Sequence, residues 1–200
     1  MQLYLNATSP YARVARVCLY EKQLIERTEL CWCDPWAADS ELLKITPLSR
    51  IPTLVTEGGE VLTESLLIAH YLDAVGEGAK LLPADGLAET LALAGLGQGL
   101  MEAAFNVVIG RKHGGPEVDE TLLGSRRLKA IERTLVTLEA HPSVLAGHTQ
   151  RTLGAIVVAV ALAYLSFRLP AFDWPNRFPR LQAWFAKVTE CDSFALTAFE

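Results

Sequence analysis

The first 76 residues change their hydrophobic period several times, which predicts a mixed α/β domain. Residues 2–6 alternate between polar and apolar side chains, as a short half-buried strand does. Ser9-Pro10 then begins a helical stretch that runs to Lys22, because serine caps helices well and proline is tolerated at the first helical position. The further predicted elements are a strand over 26–33, a short helix over 39–45, hairpin strands over 53–56 and 60–62, and a helix from 63–65 onward. The predicted order is β-α-β-α-β-β-α.

The rest of the chain has helical periodicity. Residues 77–86 are rich in glycine, alanine and proline, which is typical of a linker. Residues 87–200 are expected to form an all-helical domain, with helical patterns over 87–112, 119–139, 152–167 and 179–190. The most apolar run, 155–167, is about 13 residues long against the roughly 20 that a membrane span needs, so we interpret it as a buried core helix. The expected fold class is an α/β domain followed by an all-α domain.

Charge and composition exclude several functional classes. The chain of 200 residues has 18 basic and 23 acidic side chains and a formal net charge of −5, without a basic run, so nucleic-acid binding is not expected. Residues 1–6 lack the features of a signal peptide, which predicts a cytoplasmic location without membrane attachment. The cysteines and histidines have no metal-ligand spacing, so we expect free thiols and no metal.

Two short segments of the first domain combine residue types that favour ligand binding. Ile51-Pro52 precedes a predicted strand, and a cis bond there would aim the backbone groups of Ile51 at a ligand. Glu64-Ser65 lies at a predicted helix N-terminus, where unpaired N–H groups attract a carboxylate. The alternatives are a trans proline at the start of a strand, and capping of the helix by Thr63 or Ser65 without any ligand.

Ser9 is the candidate for chemistry on sulfur. It lies at the N-terminus of the first predicted helix, where the helix dipole stabilises negative charge. Its hydroxyl could donate a hydrogen bond to a thiolate, which is the reactive form of a thiol. The alternative is a Ser-Pro helix cap without a catalytic role. No Gly-x-Ser-x-Gly elbow surrounds Ser9, so a nucleophilic hydrolase serine is not expected.

Taken together, these features resemble one known family. The predicted element order, Ser-Pro-Tyr-Ala-Arg at 9–13, Arg-Ile-Pro-Thr-Leu at 50–54, Glu-Ser at 64–65 and a helical C-terminal domain resemble the cytosolic glutathione S-transferase superfamily. The chain looks most like bacterial members with a Thr-Ser-Pro turn. The resemblance implies an N-terminal thioredoxin-like, glutathione-binding domain over 1–76 and a C-terminal helical bundle over 87–200. It also implies a homodimer.

The resemblance implies roles for individual residues in binding glutathione. Ser9 would hydrogen-bond the glutathione sulfur, with Thr8 as a second candidate and Asn6 as a third. The residues expected around the rest of the tripeptide are Ile51 and Pro52 at the cysteinyl backbone, Glu64 near the γ-glutamyl amine, Ser65 at its carboxylate, and Arg50 near the glycyl carboxylate.

The same resemblance places an electrophile pocket between the two domains. Its candidate residues are Tyr11, Trp36, Met101, Phe105 and Val108, with Arg111 at the rim. Each of them could equally be plain core or interface packing. The function implied is conjugation of the glutathione thiolate to small apolar electrophiles. The alternatives are a glutathione-dependent peroxidase or disulfide reductase, and a non-catalytic binding or regulatory protein of the same fold.

Two glycine-containing segments are exceptions that need a structural explanation. The family usually begins its central C-terminal helix with Ser/Thr-x-x-Asp, whereas this chain has Thr152-Leu-Gly-Ala155, which predicts a weaker helix start and a gain in stability from Ala155→Asp. Gly95, Gly97 and Gly99 follow no strand, so close helix packing, within the domain or across a dimer, explains them better than dinucleotide binding.

Overall fold

The computed structural model describes residues 1–37 and 41–200. In the first part of the chain, the elements are β1 (Gln2–Leu5), α1 (Pro10–Glu21), β2 (Glu29–Trp32), α2 (Glu41–Ile45), β3 (Thr53–Val55), β4 (Val61–Thr63) and α3 (Ser65–Val75). A 3₁₀ turn over Ile25–Arg27 takes the place of the first part of the predicted second strand. The predicted element order is confirmed. Residues 39 and 40 of the predicted short helix lie outside the described residues.

The remaining elements are helical. They are α4 (Leu87–Gly114), α5 (Leu122–Glu139), α6 (Pro142–Leu145), α7 (Leu153–Arg168), α8 (Trp174–Arg177), α9 (Pro179–Val188) and α10 (Asp192–Ala195), with 3₁₀ turns at Pro116–Glu120 and Pro170–Phe172. This arrangement confirms the predicted fold class, an N-terminal thioredoxin-like part followed by helices.

The described strands form a four-stranded mixed sheet in the order β2-β1-β3-β4. β1 pairs with β2 in parallel and with β3 antiparallel, and β3 pairs antiparallel with β4. The alternating apolar residues of β1, Leu3 and Leu5, are fully buried, as is Leu54 of β3. The period-two pattern therefore predicted the buried face of the central strand correctly.

The chain forms two compact units. The first consists of Met1–Pro83 together with Cys191–Glu200, and the second is Ala84–Glu190. The final residues, which the sequence placed in the helical domain, thus fall in the first unit. There α10 packs against α1, which also packs against α3.

The second unit is built on α4 and α7, which pack closely together. A Cβ at Gly97 would come within 2.7 Å of the Val158 nitrogen, and one at Gly154 within 2.6 Å of the Thr90 carbonyl oxygen. Gly97 therefore serves close packing within the unit, as one of the two alternatives predicted. Gly95 and Gly99 face open space. Most residues of α7 are buried, as expected of a core helix.

The start of α7 is capped without the acidic residue that the family usually has. The Ala155 N–H donates to Thr152 Oγ1 at 3.3 Å, and the Thr152 N–H donates to the Gln150 carbonyl at 2.9 Å. The Thr152 N–H is the group from which an Asp at position 155 would accept a hydrogen bond, and it is therefore already engaged. Ala155 itself is buried, so a carboxylate there would be desolvated.

In the described residues, one helix, α4, is long and apolar enough to cross a membrane by length and composition alone. Buried core helices pass the same test, so this finding is weak evidence for a membrane span.

Candidate functional site

The turn between β1 and α1 holds Ser9 through the side chain of Asn6. Asn6 Oδ1 accepts the N–H groups of Ser9 at 2.8 Å and Thr8 at 3.2 Å, and also the Thr8 hydroxyl at 3.4 Å. An asparagine that accepts from the backbone two and three residues later is an Asx-type turn. Asn6 and Thr8, which the sequence offered as alternatives for binding sulfur, are thus both engaged within the turn.

Ser9 is the N-cap of α1, because its Oγ accepts the Ala12 N–H at 3.2 Å. The capping alternative is therefore realised. It does not exclude the other role, since capping uses a lone pair of the hydroxyl oxygen and leaves its proton to be donated. Ser9 is partly exposed. Its hydroxyl can therefore cap α1 and donate to an anion at the same time.

The second segment of the site precedes β3. The Ile51–Pro52 peptide bond is cis, so of the two alternatives predicted for this proline the cis form is the one present. The hydroxyl of Thr53 donates to the Arg50 carbonyl at 2.7 Å and closes the loop. Pro52 and Thr53 are buried, while Ile51 is partly exposed.

Glu64 and Ser65 form the third segment, at the N-terminus of α3. Glu64 is the N-cap residue and has a positive φ of 67°, but its side chain does not cap the helix. Ser65 is only 3% exposed, and its Oγ has no hydrogen-bond partner in residues 1–37 and 41–200. Capping of α3 by the hydroxyl of Ser65 is therefore not what the structure shows. Instead, this buried hydroxyl has no partner in the described residues, and it lies at a helix terminus whose first N–H groups have no partner within the helix.

The topology of the sheet brings the three segments to one end of it. In the strand register, Thr53 at the start of β3 lies opposite Tyr4 of β1 and Thr63 at the end of β4. The Ser9 turn follows β1, the cis bond precedes β3 and Glu64 follows β4 directly. Arg50 Nη1 lies 3.7 Å from Glu64 Oε1, and both side chains are more than half exposed. The arrangement joins two helix N-termini, hydroxyl groups and a cation, which suits an anionic ligand.

Comparisons with known proteins identify the family. The model "Glutathione S-transferase, N-terminal domain" matches residues 8–75, and "Glutathione S-transferase, C-terminal domain" matches residues 118–187. The chain is 32% identical to an Escherichia coli K12 protein named "Uncharacterized GST-like protein YibF", over 98% of both chains. The chain belongs to the glutathione S-transferase family. All three segments of the site lie within the region that the N-terminal family model matches, except for Asn6 and the rest of β1.

Solved structures of glutathione transferases are similar over the full length. A family member from Pseudomonas fluorescens Pf-5 with bound glutathione is 33% identical, with a TM-score of 0.90 over 100% of this chain and 98% of the other. A structure of a Pf-5 family member with bound S-(propanoic acid)-glutathione is 31% identical, with a TM-score of 0.87 and complete coverage of both chains. A transferase from Methylobacillus flagellatus with glutathione bound is 26% identical, with a TM-score of 0.88 over 98% of both chains.

The residues predicted for the electrophile pocket of this transferase-family chain belong to both units. Tyr11 lies in α1 and Trp36 follows β2, where it is 60% exposed. The others lie in α4, where Met101, Phe105 and Val108 share one face by helical spacing. Met101 is fully buried, and Arg111 is held by Asp119 at 2.7 Å within the second unit. Their assembly into one pocket stays a prediction.

Three cysteines of this family member, Cys18, Cys31 and Cys33, are poorly suited to thiolate chemistry. In the described residues they form no disulfide, as expected. Burial raises the pKa of Cys31 and Cys33, with nearby carboxylates adding to the effect, and burial raises the pKa of Cys18 most strongly. Raised pKa values lower the thiolate fraction at neutral pH. No cluster of potential metal ligands occurs in the described residues.

Sequence reasoning missed two parts of the site region. The organising role of Asn6 was readable in principle, because asparagine commonly accepts from the backbone two residues later. The packing of residues 191–200 into the first unit had no such signal, since a contact over more than 170 residues leaves no local periodicity.

Proposed function

We propose that this protein binds glutathione in its first unit and catalyses attack of the glutathione thiolate on small apolar electrophiles. The observation that carries the proposal is the buried hydroxyl of Ser65 at the N-terminus of α3, for which the described part of the chain offers no hydrogen-bond partner. Leaving such a group unsatisfied costs about 1–3 kcal/mol, which a bound carboxylate would recover. The full-length similarity to glutathione-bound structures supports the same ligand.

Each residue near this end of the sheet has a role suited to one part of the tripeptide. Ser65 and the N–H groups of α3 would bind the γ-glutamyl carboxylate, and Glu64 its ammonium group. The main chain of Ile51, before Pro52, would pair with the cysteinyl backbone. Arg50, which is exposed beside Glu64, would meet the glycyl carboxylate.

Ser9 would supply the chemistry at sulfur. A hydroxyl that donates to the sulfur stabilises the thiolate over the thiol, and the N-terminal end of α1 adds to this stabilisation. The thiolate then attacks the electrophile, forming a carbon–sulfur bond while the leaving group departs with its electron pair. Ser9 forms no covalent bond in this scheme, and no metal takes part.

Conjugation is favoured over a disulfide reductase that would use Cys31 or Cys33 as its nucleophile. Burial raises the pKa of Cys31 and Cys33, so neither is activated as a thiolate near neutral pH. We also propose that the electrophile is bound by the α4 face that carries Met101 and Phe105. A cytoplasmic homodimer is proposed as well.

Calorimetric titration with reduced glutathione, alongside oxidised glutathione, tests binding first. Ser65→Ala should weaken glutathione binding roughly 10- to 100-fold, because it removes one hydrogen bond to a charged group. Ser143→Ala is the matched control: it removes another buried serine hydroxyl, one that donates to Glu89 at 2.7 Å in the second unit. Equal affinity in wild type and Ser65→Ala, or no binding at millimolar glutathione, would overturn the proposal.

Turnover of an aromatic chloride tests the role of Ser9. Ser9→Ala should lower kcat/KM for conjugation about tenfold, because the bound thiol loses its hydrogen bond and with it thiolate character. The change also removes a helix cap, so Thr121→Ala, which removes the cap of α5, is the control for capping alone. Unchanged turnover in Ser9→Ala would exclude Ser9 from catalysis, and faster turnover of a peroxide than of the chloride would favour peroxidase activity.

A further inference from the structure

Two arginines of α1 are almost completely buried. Arg13 and Arg16 are each 7% exposed. Burial lowers the pKa of Arg13 to about 10, and the nearby charge of Arg16 adds to the effect. A buried cation is costly unless its donors are satisfied. The groups that accept hydrogen bonds from these two guanidinium groups are therefore expected to stabilise this part of the fold.

In the described residues, the hydrogen-bond partners of both guanidinium groups come from residues 191–200, while Arg16 also lies over the Trp32 ring, 5.2 Å from its centroid. Arg13 donates to the Phe194 carbonyl at 3.1 Å and to Thr197 Oγ1 at 3.4 Å. Its guanidinium also lies over the Phe199 ring, 4.5 Å from the centroid. Arg16 donates to the Leu196 carbonyl at 3.0 Å. Residues 191–200 thus supply hydrogen-bond acceptors to both cations of α1, although Arg16 Nε has no hydrogen-bond partner in the described residues.

The contact extends along the whole of α1. At its C-terminal end, the Ser193 hydroxyl donates to Glu21 Oε1 at 2.6 Å. Within the segment, the Thr197 hydroxyl donates to the Ser193 carbonyl at 2.7 Å, so the residues that contact α1 are tied to one another. The segment 191–200 therefore forms hydrogen bonds with α1 at three positions along the helix, Arg13, Arg16 and Glu21.

Arg13 connects the contacts of residues 191–200 directly to Ser9. The Arg13 N–H donates to the Ser9 carbonyl at 3.0 Å and closes the first turn of α1, while its side chain is bound by Phe194 and Thr197. On the other side, Asn6 holds the Ser9 N–H. The backbone of Ser9 is therefore held on its N-terminal side by the Asn6 side chain and on its C-terminal side by the Arg13 N–H.

We propose that residues 191–200 form a strap that holds the first turn of α1 through Arg13 and thereby positions the Ser9 hydroxyl toward the ligand sulfur. Arg13 is a positioning residue in this arrangement. The inference rests on the proposed glutathione-binding function for its chemical consequence, although the strap itself does not depend on a ligand.

The variants that test the strap differ in severity. Thr197→Val is nearly isosteric and removes one partner of Arg13, Thr197→Ser keeps the hydroxyl, and Arg13→Gln removes the cation itself. Ser143→Ala, in the second unit, controls for a general loss of stability. Amide hydrogen exchange in the ligand-free protein should accelerate severalfold at the first turn of α1 in Thr197→Val and Arg13→Gln, but not in Thr197→Ser or Ser143→Ala.

The second readout is the pKa of the bound glutathione thiol, followed by thiolate absorbance against pH. Thr197→Val and Arg13→Gln should raise it by about 0.5–1 unit, which is a roughly 3- to 10-fold fall in thiolate fraction below that pKa. The KM for glutathione should change less than kcat, because the γ-glutamyl contacts at Ser65 are untouched. Thr197→Ser should restore the wild-type value.

The two readouts separate failure of the strap from failure of the proposed function. Unchanged exchange at the first turn in Arg13→Gln would overturn the strap whether or not glutathione binds. If Ser9→Ala raises the thiol pKa but Arg13→Gln and Thr197→Val do not, the positioning role is wrong while the function stands. If Ser9→Ala leaves the thiol pKa unchanged, the role proposed for Ser9 fails, and the strap is then judged on the exchange measurement.

Discussion

A fully buried lysine ties α1 to the segment that leaves the first unit. Lys22 is 0% exposed, and its Nζ lies 3.0 Å from Asp73 Oδ1 at the end of α3. The same ammonium group donates to the Ala79 carbonyl at 3.0 Å. Asp73 in turn accepts the backbone N–H groups of Leu81 at 2.9 Å and Leu82 at 3.2 Å. The pair therefore fixes the residues that follow α3 as well as two helices.

Asp73→Asn removes the negative charge of this pair and keeps the shape of the side chain. Because it leaves the ammonium group of Lys22 buried without its counter-charge, the free energy of unfolding should fall by about 3–5 kcal/mol. Urea unfolding followed by circular dichroism measures the change. Arg27→Gln, which breaks the exposed ion pair with Glu57, is the control and should cost about 1 kcal/mol or less.

A double variant shows whether the loss comes from the uncompensated charge. Lys22→Met combined with Asp73→Asn removes both charges, and burial of two neutral side chains of similar size is much less costly than burial of one unpaired ion. The double variant should therefore be more stable than Asp73→Asn alone. A loss below about 1 kcal/mol in Asp73→Asn, or a double variant less stable than the single one, would refute the reasoning.

The same pair predicts how stability depends on pH. Burial alone would raise the pKa of Asp73, but hydrogen bonds from the Leu81 N–H, Lys22 and the Leu82 N–H outweigh it and lower the pKa. A carboxyl group with a lowered folded pKa stabilises the fold above its unfolded value, about 3.9, and that contribution is lost as the pH falls through the lower folded value. The difference between wild type and Asp73→Asn should be full at neutral pH and should shrink below about pH 4. A difference that stays constant on acidification would show that the charge of Asp73 is not its source.

Three further stability predictions follow from helix ends and helix contacts in the second unit. Gly97→Ala should lower the free energy of unfolding by about 1–3 kcal/mol, because the added Cβ would clash with α7. Gly95→Ala, in open space on the same helix, should raise it by up to about 1 kcal/mol. Equal effects of the two variants in urea unfolding would contradict the packing argument. Glu139 accepts the Leu181 N–H at 2.8 Å at the start of α9, so Glu139→Ala should lose about 0.5–2 kcal/mol by the same assay. Ala155→Asp should lower the melting temperature, contrary to the expectation from sequence alone, because position 155 is buried and the donor it would serve is engaged; a rise would restore that expectation.

The sequence predicted those features whose causes are local. The N-cap at Ser9, the alternation in β1 and the helical periods depend on neighbouring residues, and the structure has each of them where expected. The arrangement of the three site segments at one end of the sheet follows from strand order, which element order alone does not determine. It became evident only through the register of β3 with β1 and β4.

The features that sequence reasoning missed depend on distant partners. Lys22 was expected only as the last residue of the first helical stretch, but its burial depends on Asp73 and on a carbonyl 57 residues away. Gly154 was expected to weaken α7, whereas the close approach of the Thr90 carbonyl explains why no larger residue stands there. A helix propensity measures the cost of glycine in an isolated helix and contains no term for a neighbouring helix.

Replacing each of the two serines of the site by alanine should affect the stability of the ligand-free protein differently, although both serines lie at helix N-termini. The Ser9 hydroxyl caps α1, so Ser9→Ala should cost about 0.5–2 kcal/mol of unfolding free energy in addition to its effect on catalysis. The Ser65 hydroxyl is buried and has no hydrogen-bond partner among residues 1–37 and 41–200. Ser65→Ala therefore removes a desolvated group and should leave the ligand-free protein equally stable or more stable. The stability gained on adding glutathione, measured as the shift in melting temperature, should by contrast be smaller in Ser65→Ala than in wild type. A large loss of stability in ligand-free Ser65→Ala would mean that its hydroxyl serves the fold, and the case for a carboxylate site at α3 would lose its main support.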